Sequence, residues 1–183
     1  NYDQGVGLGS DDCGCAYRSD HEKQMGSISI AYTNSVIGDD ERQYLRTLPA
    51  HINVEFRLNE QKLNLLLVHG SPRRINEYLF EDRDEKSMVR MMEAAGADIM
   101  CFGHTHKPYH RVFAGTKHAI NTGSVGKPKD GDPRGCYVML SIDERNNVSV
   151  QFVRFEYDVE KAARGIENSP LPNEYAAMLR GGV

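Results

Sequence analysis

The sequence predicts a fold of the α/β class, and three observations support this class. Residues 63–68 are an almost unbroken apolar stretch and residues 97–101 form a second one; such stretches are typical of buried strands. Between them, residues 84–95 place three methionines and an alanine on one helical face and are followed by a glycine. A strand, a helix and a strand in this order predict two parallel strands joined by a right-handed crossover. We therefore expect both strands to end at one edge of the same sheet.

The residues before this unit predict a loop, two helices and a hairpin. Glycines at alternate positions indicate a loop at the start of the chain. Ser19 and Glu22 fit a capping box, and this signal favours a helix over the alternating pattern that residues 28–32 also show. The predicted elements are a loop at 1–9, a helix from Ser19 to Val36, a helix at 39–47, a strand at 52–58 and a turn at 59–62.

The residues after the second apolar strand predict two more hairpins and two closing helices. A polar, glycine-rich stretch at 121–135 separates the hairpins, and long loops inside compact domains are usually functional. The predicted elements are strands at 109–113, 117–120, 136–142 and 148–155 and helices at 158–164 and 173–180. We find no internal repeat, and we expect residues 1–183 to form a single domain.

Length and composition limit the classes of function. The chain has 183 residues and a formal net charge of −4, so its total charge does not indicate a nucleic-acid partner. No apolar stretch is long enough to span a bilayer, so no membrane partner is expected. Four cysteines are few for this length, and two of them fall in apolar strands, which predicts a reducing, cytoplasmic compartment.

Histidines stand where the two buried strands end. His69 follows the first strand, and His104 and His106 follow the second after Gly103. In an extended backbone, residues two apart point to the same side, so His104 and His106 should face one spot and His69 should meet them there. Imidazole is the commonest protein ligand of metals, which predicts a metal site. For a His-x-His pair alone, a loop with two solvated histidines is an equally good interpretation.

Taken together, these motifs resemble the calcineurin-like metallophosphoesterase superfamily. The resemblance rests on Leu-Val-His-Gly at 67–70 and Phe-Gly-His-Thr-His at 102–106, and residues 121–126 and 130–134 are similar to its small prokaryotic phosphodiesterase branch. It covers essentially the whole chain and implies a β-sandwich flanked by helices in α-β-β-α layers. Residues 1–3 resemble the end of the family's Gly-Asn-His-Asp motif. The earlier Asp-x-His and Gly-Asp motifs are absent, so we expect the chain to be the C-terminal portion of the domain, without its first strands and helices.

The resemblance implies a site with two divalent metal ions, which could be Mn, Fe, Ni or Zn. Carried over by position, Asn1, His69 and His104 would bind one ion, and His106 would help to bind the other. Tyr2 stands where the family often has a histidine that assists the leaving group, and a phenol is a weaker acid than imidazolium. We expect backbone carbonyls of the glycine-rich loops to fix the imidazoles. The candidates to hold substrate oxygens are Arg73, Arg74, Lys127 and Arg134, although the sequence favours a solvated surface charge for each of them.

These features predict a metal-dependent phosphoester hydrolase, most simply a phosphodiesterase, that acts on a phosphorylated small molecule or a phosphodiester. An alternative is a regulatory module that binds metal or phosphate without catalysis. A third interpretation is a structural zinc site formed by Cys13, Cys15 and a histidine, although the spacing of the two cysteines is unusual for zinc. Because the missing strands would expose a sheet edge, we expect residues 1–183 alone to be inactive and to aggregate or form homo-oligomers.

Overall fold

The computed structural model describes residues 1–58 and 60–183, which form two compact units. The helical unit comprises Asn1–Pro49 and Asp158–Arg180, and the sheet unit comprises Ala50–Tyr157 and Gly181–Val183. Asn59, one residue of the predicted turn at 59–62, lies outside the described residues. The prediction of a single domain over residues 1–183 stays a prediction.

The sheet unit contains the strands and one helix of the described residues. Its strands are β1 (His51–Leu58), β2 (Gln61–Val68), β3 (Ile99–Phe102), β4 (Tyr109–Phe113), β5 (Lys117–Asn121), β6 (Gly135–Ile142) and β7 (Val148–Phe155). The main sheet has the order β1-β2-β3-β5-β4, and β6 and β7 pair as a second sheet. Strand β2 is parallel to β3, as the crossover rule predicts, and β3 is parallel to β5. The predicted strands are confirmed and differ from the observed ones only at their ends.

Two apolar cores cover the two faces of the main sheet. On one face, the methionine stripe of the helix Glu85–Ala94 packs against side chains of β2 and β3 such as Leu66 and Met100. On the other face, Leu65, Ile99 and Ile120 pack against apolar side chains of β6 and β7. Strand β3 is buried along its whole length because both of its faces are covered. The sheet unit is therefore a layered α/β structure in which two sheets pack face to face, and the predicted α/β class is confirmed.

The helical unit contains the remaining helices. In chain order the helices are α1 (Tyr2–Gly7), α2 (Asp20–Val36), α3 (Asp39–Thr47), α4 (Glu85–Ala94, in the sheet unit), α5 (Val159–Glu167) and α6 (Glu174–Gly181). The predicted start of α2 is confirmed, because the Ser19 side chain accepts a hydrogen bond from the Glu22 backbone N–H at 3.1 Å. The Glu22 carboxylate accepts from the backbone N–H of Arg18 at 2.7 Å, one residue before the position a capping box would use.

The predicted loop at the start of the chain is wrong, because residues 2–7 form helix α1. Its glycines allow close packing: a Cβ on Gly5 would lie 3.2 Å from a methyl carbon of Ile30, and one on Gly7 would lie 3.2 Å from Cβ of Leu45. Val6 is buried in the same small core. Tertiary packing thus outweighs the low helix propensity of glycine here.

In the part of the chain that the structure describes, every helix is too short or too polar to cross a membrane.

Candidate metal centre at the strand ends

The ends of β2 and β3 bring two histidines into contact. His69 directly follows β2 and His104 stands two residues after β3, at the same edge of the sheet. The Nε2 atom of His69 and the Nδ1 atom of His104 are 3.1 Å apart, and the rings are arranged edge to face. Loss of hydration lowers the pKa of both imidazoles, and a charged His106 adds a smaller lowering. The predicted approach of His69 and His104 is confirmed.

The backbone that carries His104 and His106 is not extended, and the sequence argument that assumed so is wrong. Both residues have left-handed conformations, with φ angles of 66° and 60°. His104 lies at the centre of a tight turn, in which the Thr105 N–H donates to the Gly103 carbonyl at 2.7 Å. Non-glycine residues adopt this conformation at a cost of about 1–3 kcal/mol each, and such residues concentrate at functional sites.

Asn121, the last residue of β5, holds this turn in place. It is fully buried, and its Nδ2 donates to the Gly103 carbonyl at 3.0 Å and to the Thr105 hydroxyl at 2.9 Å. Its Oδ1 accepts from the Gly123 N–H at 3.0 Å. Sequence reasoning assigned Asn121 only to a polar loop. The available signal was an amide side chain at the end of an apolar strand, where a buried polar group requires partners.

A backbone carbonyl fixes the ring of His106, as predicted. The Nδ1–H of His106 donates to the Lys127 carbonyl at 2.6 Å, which leaves Nε2 as the ring atom with a lone pair. The two strand ends are also tied together directly, because the Gly103 N–H donates to the His69 carbonyl at 2.8 Å. Thus backbone groups and one buried amide position the histidines.

The loop after His69 contains an ion-pair network that sequence reasoning missed. Glu77 pairs with Arg73 and Arg83, and it accepts a hydrogen bond from the Ser71 hydroxyl at 2.5 Å. Burial alone would raise the pKa of Glu77, but the hydrogen bonds from Arg73 and Ser71 outweigh it and lower this pKa. The next residue, Tyr78, packs its ring 4.1 Å from the ring of His104.

Two of the cations that were candidates to hold substrate are therefore engaged in ion pairs. Arg73 pairs with Glu77, and Arg134 pairs with Asp132 at 2.7 Å. A partly neutralised guanidinium is a weaker anchor for a phosphate group than an isolated one. These pairs favour a structural role for both arginines.

Loss of hydration keeps the imidazoles neutral. It lowers the pKa of the buried His104 to about 4, and it also lowers the pKa of His69 to about 4, although the His69 residue is exposed at the rim of the site. Burial also lowers the pKa of His106, although the hydrogen bond to the Lys127 carbonyl acts in the opposite direction. Neutral imidazole is the form that binds metals, so the ligands are in the required state at neutral pH.

The spacing of the nitrogen atoms fits a metal ion. Two nitrogen atoms that each lie about 2.1 Å from one ion are about 3.0 Å apart at a right angle and about 3.4 Å apart at the tetrahedral angle. The observed separation of 3.1 Å between His69 and His104 falls in this range. In addition, Nε2 of His104 is buried, and a hydrogen bond with the Asn76 backbone acts on this imidazole. Within those residues, however, no group of three or more His, Cys, Asp and Glu side chains is arranged to hold an ion.

The other two predicted site residues, Asn1 and Tyr2, belong to the helical unit. The Asn1 side-chain Nδ2 donates to the Cys13 carbonyl at 2.8 Å and to the Cys15 sulfur at 3.1 Å. The Tyr2 hydroxyl lies 3.0 Å from the Ser29 hydroxyl and 2.9 Å from the Thr33 hydroxyl. Both side chains are thus held by neighbours in their own unit, and their roles in the site stay predictions.

The sheet unit is thus an α/β sandwich with imidazoles at the ends of two adjacent parallel strands. Proteins with this arrangement are suited to metal-dependent chemistry. The profile of the calcineurin-like phosphoesterase superfamily domain matches residues 16–145, and the chain belongs to this superfamily.

The chain is also similar to a curated protein in sequence and to solved structures in fold. The chain is 29% identical over 188 residues to an uncharacterized protein of Methanocaldococcus jannaschii, covering 94% of this chain and 69% of that protein. Its fold is similar to a metallophosphoesterase from Sphaerobacter thermophilus, with 23% identity and a TM-score of 0.71 over 100% of this chain and 74% of that one. A hypothetical protein from Pyrococcus horikoshii is similar with 20% identity and a TM-score of 0.77, over 100% and 71% of the two chains.

Proposed function

We propose that the protein hydrolyses phosphodiesters at a site with two divalent metal ions, built on His69, His104 and His106 and completed by Asn1. The observation that carries the proposal is the 3.1 Å approach of His69 Nε2 and His104 Nδ1 in a chain of the calcineurin-like phosphoesterase superfamily. Mn, Fe, Ni and Zn suit a set of imidazole nitrogens and an amide oxygen. The assignment to the small prokaryotic phosphodiesterase branch is part of this proposal.

Each residue has a separate task in the proposed site. When bound, divalent ions acidify a water molecule and neutralise charge on the phosphoryl oxygens. His69 and His104 offer neutral nitrogen atoms from two strand ends, and His106 offers Nε2 because its Nδ1 is held by the Lys127 carbonyl. Asn1 would add an amide oxygen, with its NH₂ group held by Cys13 and Cys15.

The proposed substrate is a phosphorylated small molecule with a diester linkage. The net charge of −4 does not attract a polyanion such as nucleic acid. We propose a cytoplasmic location, with which the four free cysteines of the described residues agree. Self-association as a homo-oligomer belongs to the same set of proposals.

The test compares two histidine substitutions in the protein as its gene encodes it. A chromogenic aryl phosphodiester, with and without added Mn²⁺, is the activity probe, and metal content is measured in parallel. We expect His104→Ala to lower the Mn²⁺-dependent rate by about 100-fold or more, because metal ligands and their supports control affinity and activity on this scale. Equal rates for wild type and His104→Ala, or a rate that survives metal chelation, would refute the proposal.

The chain offers a matched control for this substitution. His118 forms a second histidine pair with His110, with the same 3.1 Å separation of Nε2 and Nδ1, on the hairpin of β4 and β5. His118→Ala therefore removes an equivalent contact away from the candidate centre. We expect this variant to keep the activity and metal content of the wild type.

One observation favours the second candidate function, a regulatory module that binds metal or phosphate without catalysis. The Tyr2 hydroxyl is held by Ser29 and Thr33, so a role in protonating a leaving group would require it to leave both partners. Calorimetric binding of Mn²⁺ and phosphate without turnover of mono- or diesters would support this alternative. Turnover that falls with His104→Ala would exclude it.

A further inference from the structure

The segment Cys13-Gly14-Cys15 places two thiols in direct contact within the helical unit. Their sulfur atoms are 2.6 Å apart, and neither cysteine is in a disulfide. A disulfide bond is about 2.05 Å long, and this separation is shorter than an ordinary contact of two non-bonded sulfur atoms. The two sulfurs are therefore already close to bonding distance.

The local backbone produces this approach. Gly14 has a φ angle of +70°, a left-handed conformation that strains residues with a side chain. Its N–H donates to the Asp12 carboxylate at 2.8 Å, which closes a tight turn over residues 12–14 around Cys13. The left-handed Gly14 then joins this turn to Cys15, and the two sulfur atoms meet.

The two thiols differ in their access to solvent. Cys13 is only 8% exposed and packs in the small core with Val6 and Ile30, whereas Cys15 is half-buried. A reagent from solvent therefore meets Cys15 first, and Cys13 stands behind it within reach. Cys15 also accepts a hydrogen bond from the Asn1 side chain at 3.1 Å.

A metal site is a poorer explanation of this pair. Zinc held by proteins has about four ligands from cysteine, histidine or carboxylate side chains. Among residues 1–58 and 60–183, no third side chain of these kinds joins Cys13 and Cys15 in a possible site. The structure therefore gives no support to the structural zinc interpretation.

We propose that Cys13 and Cys15 are a reversible dithiol–disulfide pair that reacts with low-molecular-weight disulfides such as oxidised glutathione. In the first step, the Cys15 thiolate attacks one sulfur of the small disulfide, forms a mixed disulfide and releases one small thiolate. In the second step, Cys13 loses its proton, attacks the Cys15 sulfur, forms the Cys13–Cys15 bond and releases the second small thiolate. The protein loses two electrons and two protons, and the small disulfide gains both to become two thiols.

The experiment uses reduced protein in buffers with increasing ratios of oxidised to reduced glutathione. Remaining thiols are alkylated at each ratio, and intact mass and peptide mapping follow. We expect the wild type to lose two hydrogen atoms in mass and to protect two thiols, both in the peptide that contains residues 13–15. Reduced thioredoxin or a dithiol should restore them.

Three variants sharpen the test. Cys15→Ser should prevent closure, Cys13→Ser should stop at a stable adduct of one glutathione on Cys15, and Cys101→Ser should close like the wild type. Cys101 is a matched control because it is also a buried thiol, in strand β3 of the other unit. Circular dichroism checks the fold of each variant, and the peptide map of the wild type alone decides the question if a variant does not fold.

Three results would overturn the proposal. The wild type could keep all its thiols at every glutathione ratio, or it could keep a glutathione adduct on Cys15 without closing. Loss of two hydrogen atoms from Cys15→Ser would assign the reaction to other cysteines. None of these results depends on phosphoesterase activity, so this proposal and the proposed function fail independently.

Discussion

Replacing Asn121 with alanine tests how firmly the histidine loop, residues 103–106, is held. The Asn121 side chain is fully buried and makes three hydrogen bonds at 2.9–3.0 Å, two of them to the loop. A hydrogen bond contributes about 1 kcal/mol net, and a buried partner left unpaired costs about 1–3 kcal/mol. Asn121→Ala should therefore lower the free energy of unfolding by about 3 kcal/mol or more.

Urea unfolding followed by circular dichroism measures this change. The matched control is Asn147→Ala in the turn between β6 and β7, where an exposed amide donates to Asp143 at 2.8 Å. Because water replaces an exposed hydrogen bond, this control should change the free energy of unfolding by about 0.5 kcal/mol or less. Both variants should keep the wild-type dependence on urea concentration, since neither changes the surface exposed on unfolding.

The same variant tests the link between the amide and the site. Without the two hydrogen bonds to Gly103 and Thr105, the left-handed conformation of His104 loses its support and its imidazole loses a fixed direction. Mn²⁺ affinity measured by calorimetry should then fall by about 10- to 100-fold, the scale found when residues that orient metal ligands are removed. A change in stability equal to that of Asn147→Ala, or an unchanged Mn²⁺ affinity, would refute this reasoning.

Three further predictions concern the core, a glycine and the pH. Met92→Ala should cost about 2–5 kcal/mol in urea unfolding, because this side chain is fully buried between α4 and the sheet. Gly70→Ala should cost more than about 1 kcal/mol, since its Cβ would lie 2.5 Å from a backbone oxygen, whereas Gly165→Ala meets nothing within 4 Å and should gain about 0.5–1 kcal/mol. In the folded chain the pKa of His69 and of His104 is lowered to about 4, so their imidazoles are protonated only near that pH. In the unfolded chain both imidazoles are protonated at a higher pH, near about 6.5. The free energy of unfolding of the metal-free protein should therefore fall as the pH is lowered between these two values. A fall of the same size in the His104→Gln variant would contradict the assignment of this effect to the histidines.

Most of the sheet unit could be predicted because its signals are local. Apolar stretches and a methionine stripe directly report burial in β2, β3 and α4, and the order of strand, helix and strand fixes parallel pairing. The position of His69 beside His104 followed from that topology alone. The sequence argument succeeded here because it depended on the handedness of a crossover and on no individual contact.

The failures occurred where tertiary contacts override local preference. Helix α1 forms because Gly5 and Gly7 lie against Ile30 and Leu45, and these contacts join residues that are distant in the sequence. The left-handed backbone of the histidine loop depends on a hydrogen bond from Asn121, which follows it by more than a dozen residues. The spacing of apolar residues, about every two residues in a strand or about every 3.6 residues in a helix, contains no information on such long-range contacts.

The burial of His104 explains why the site needs the buried amide of Asn121. An imidazole binds a metal ion only through a neutral nitrogen, so protons and metal ions compete for it. Lowering the pKa of His69 and His104 to about 4 removes that competition at neutral pH, and burial is the main cause of the lowering. The same burial removes water from the turn that carries His104, so the polar groups of that turn need partners from the protein. Asn121 supplies them, so the neutral imidazole of His104 and the rigid backbone that carries it both follow from the burial of this turn.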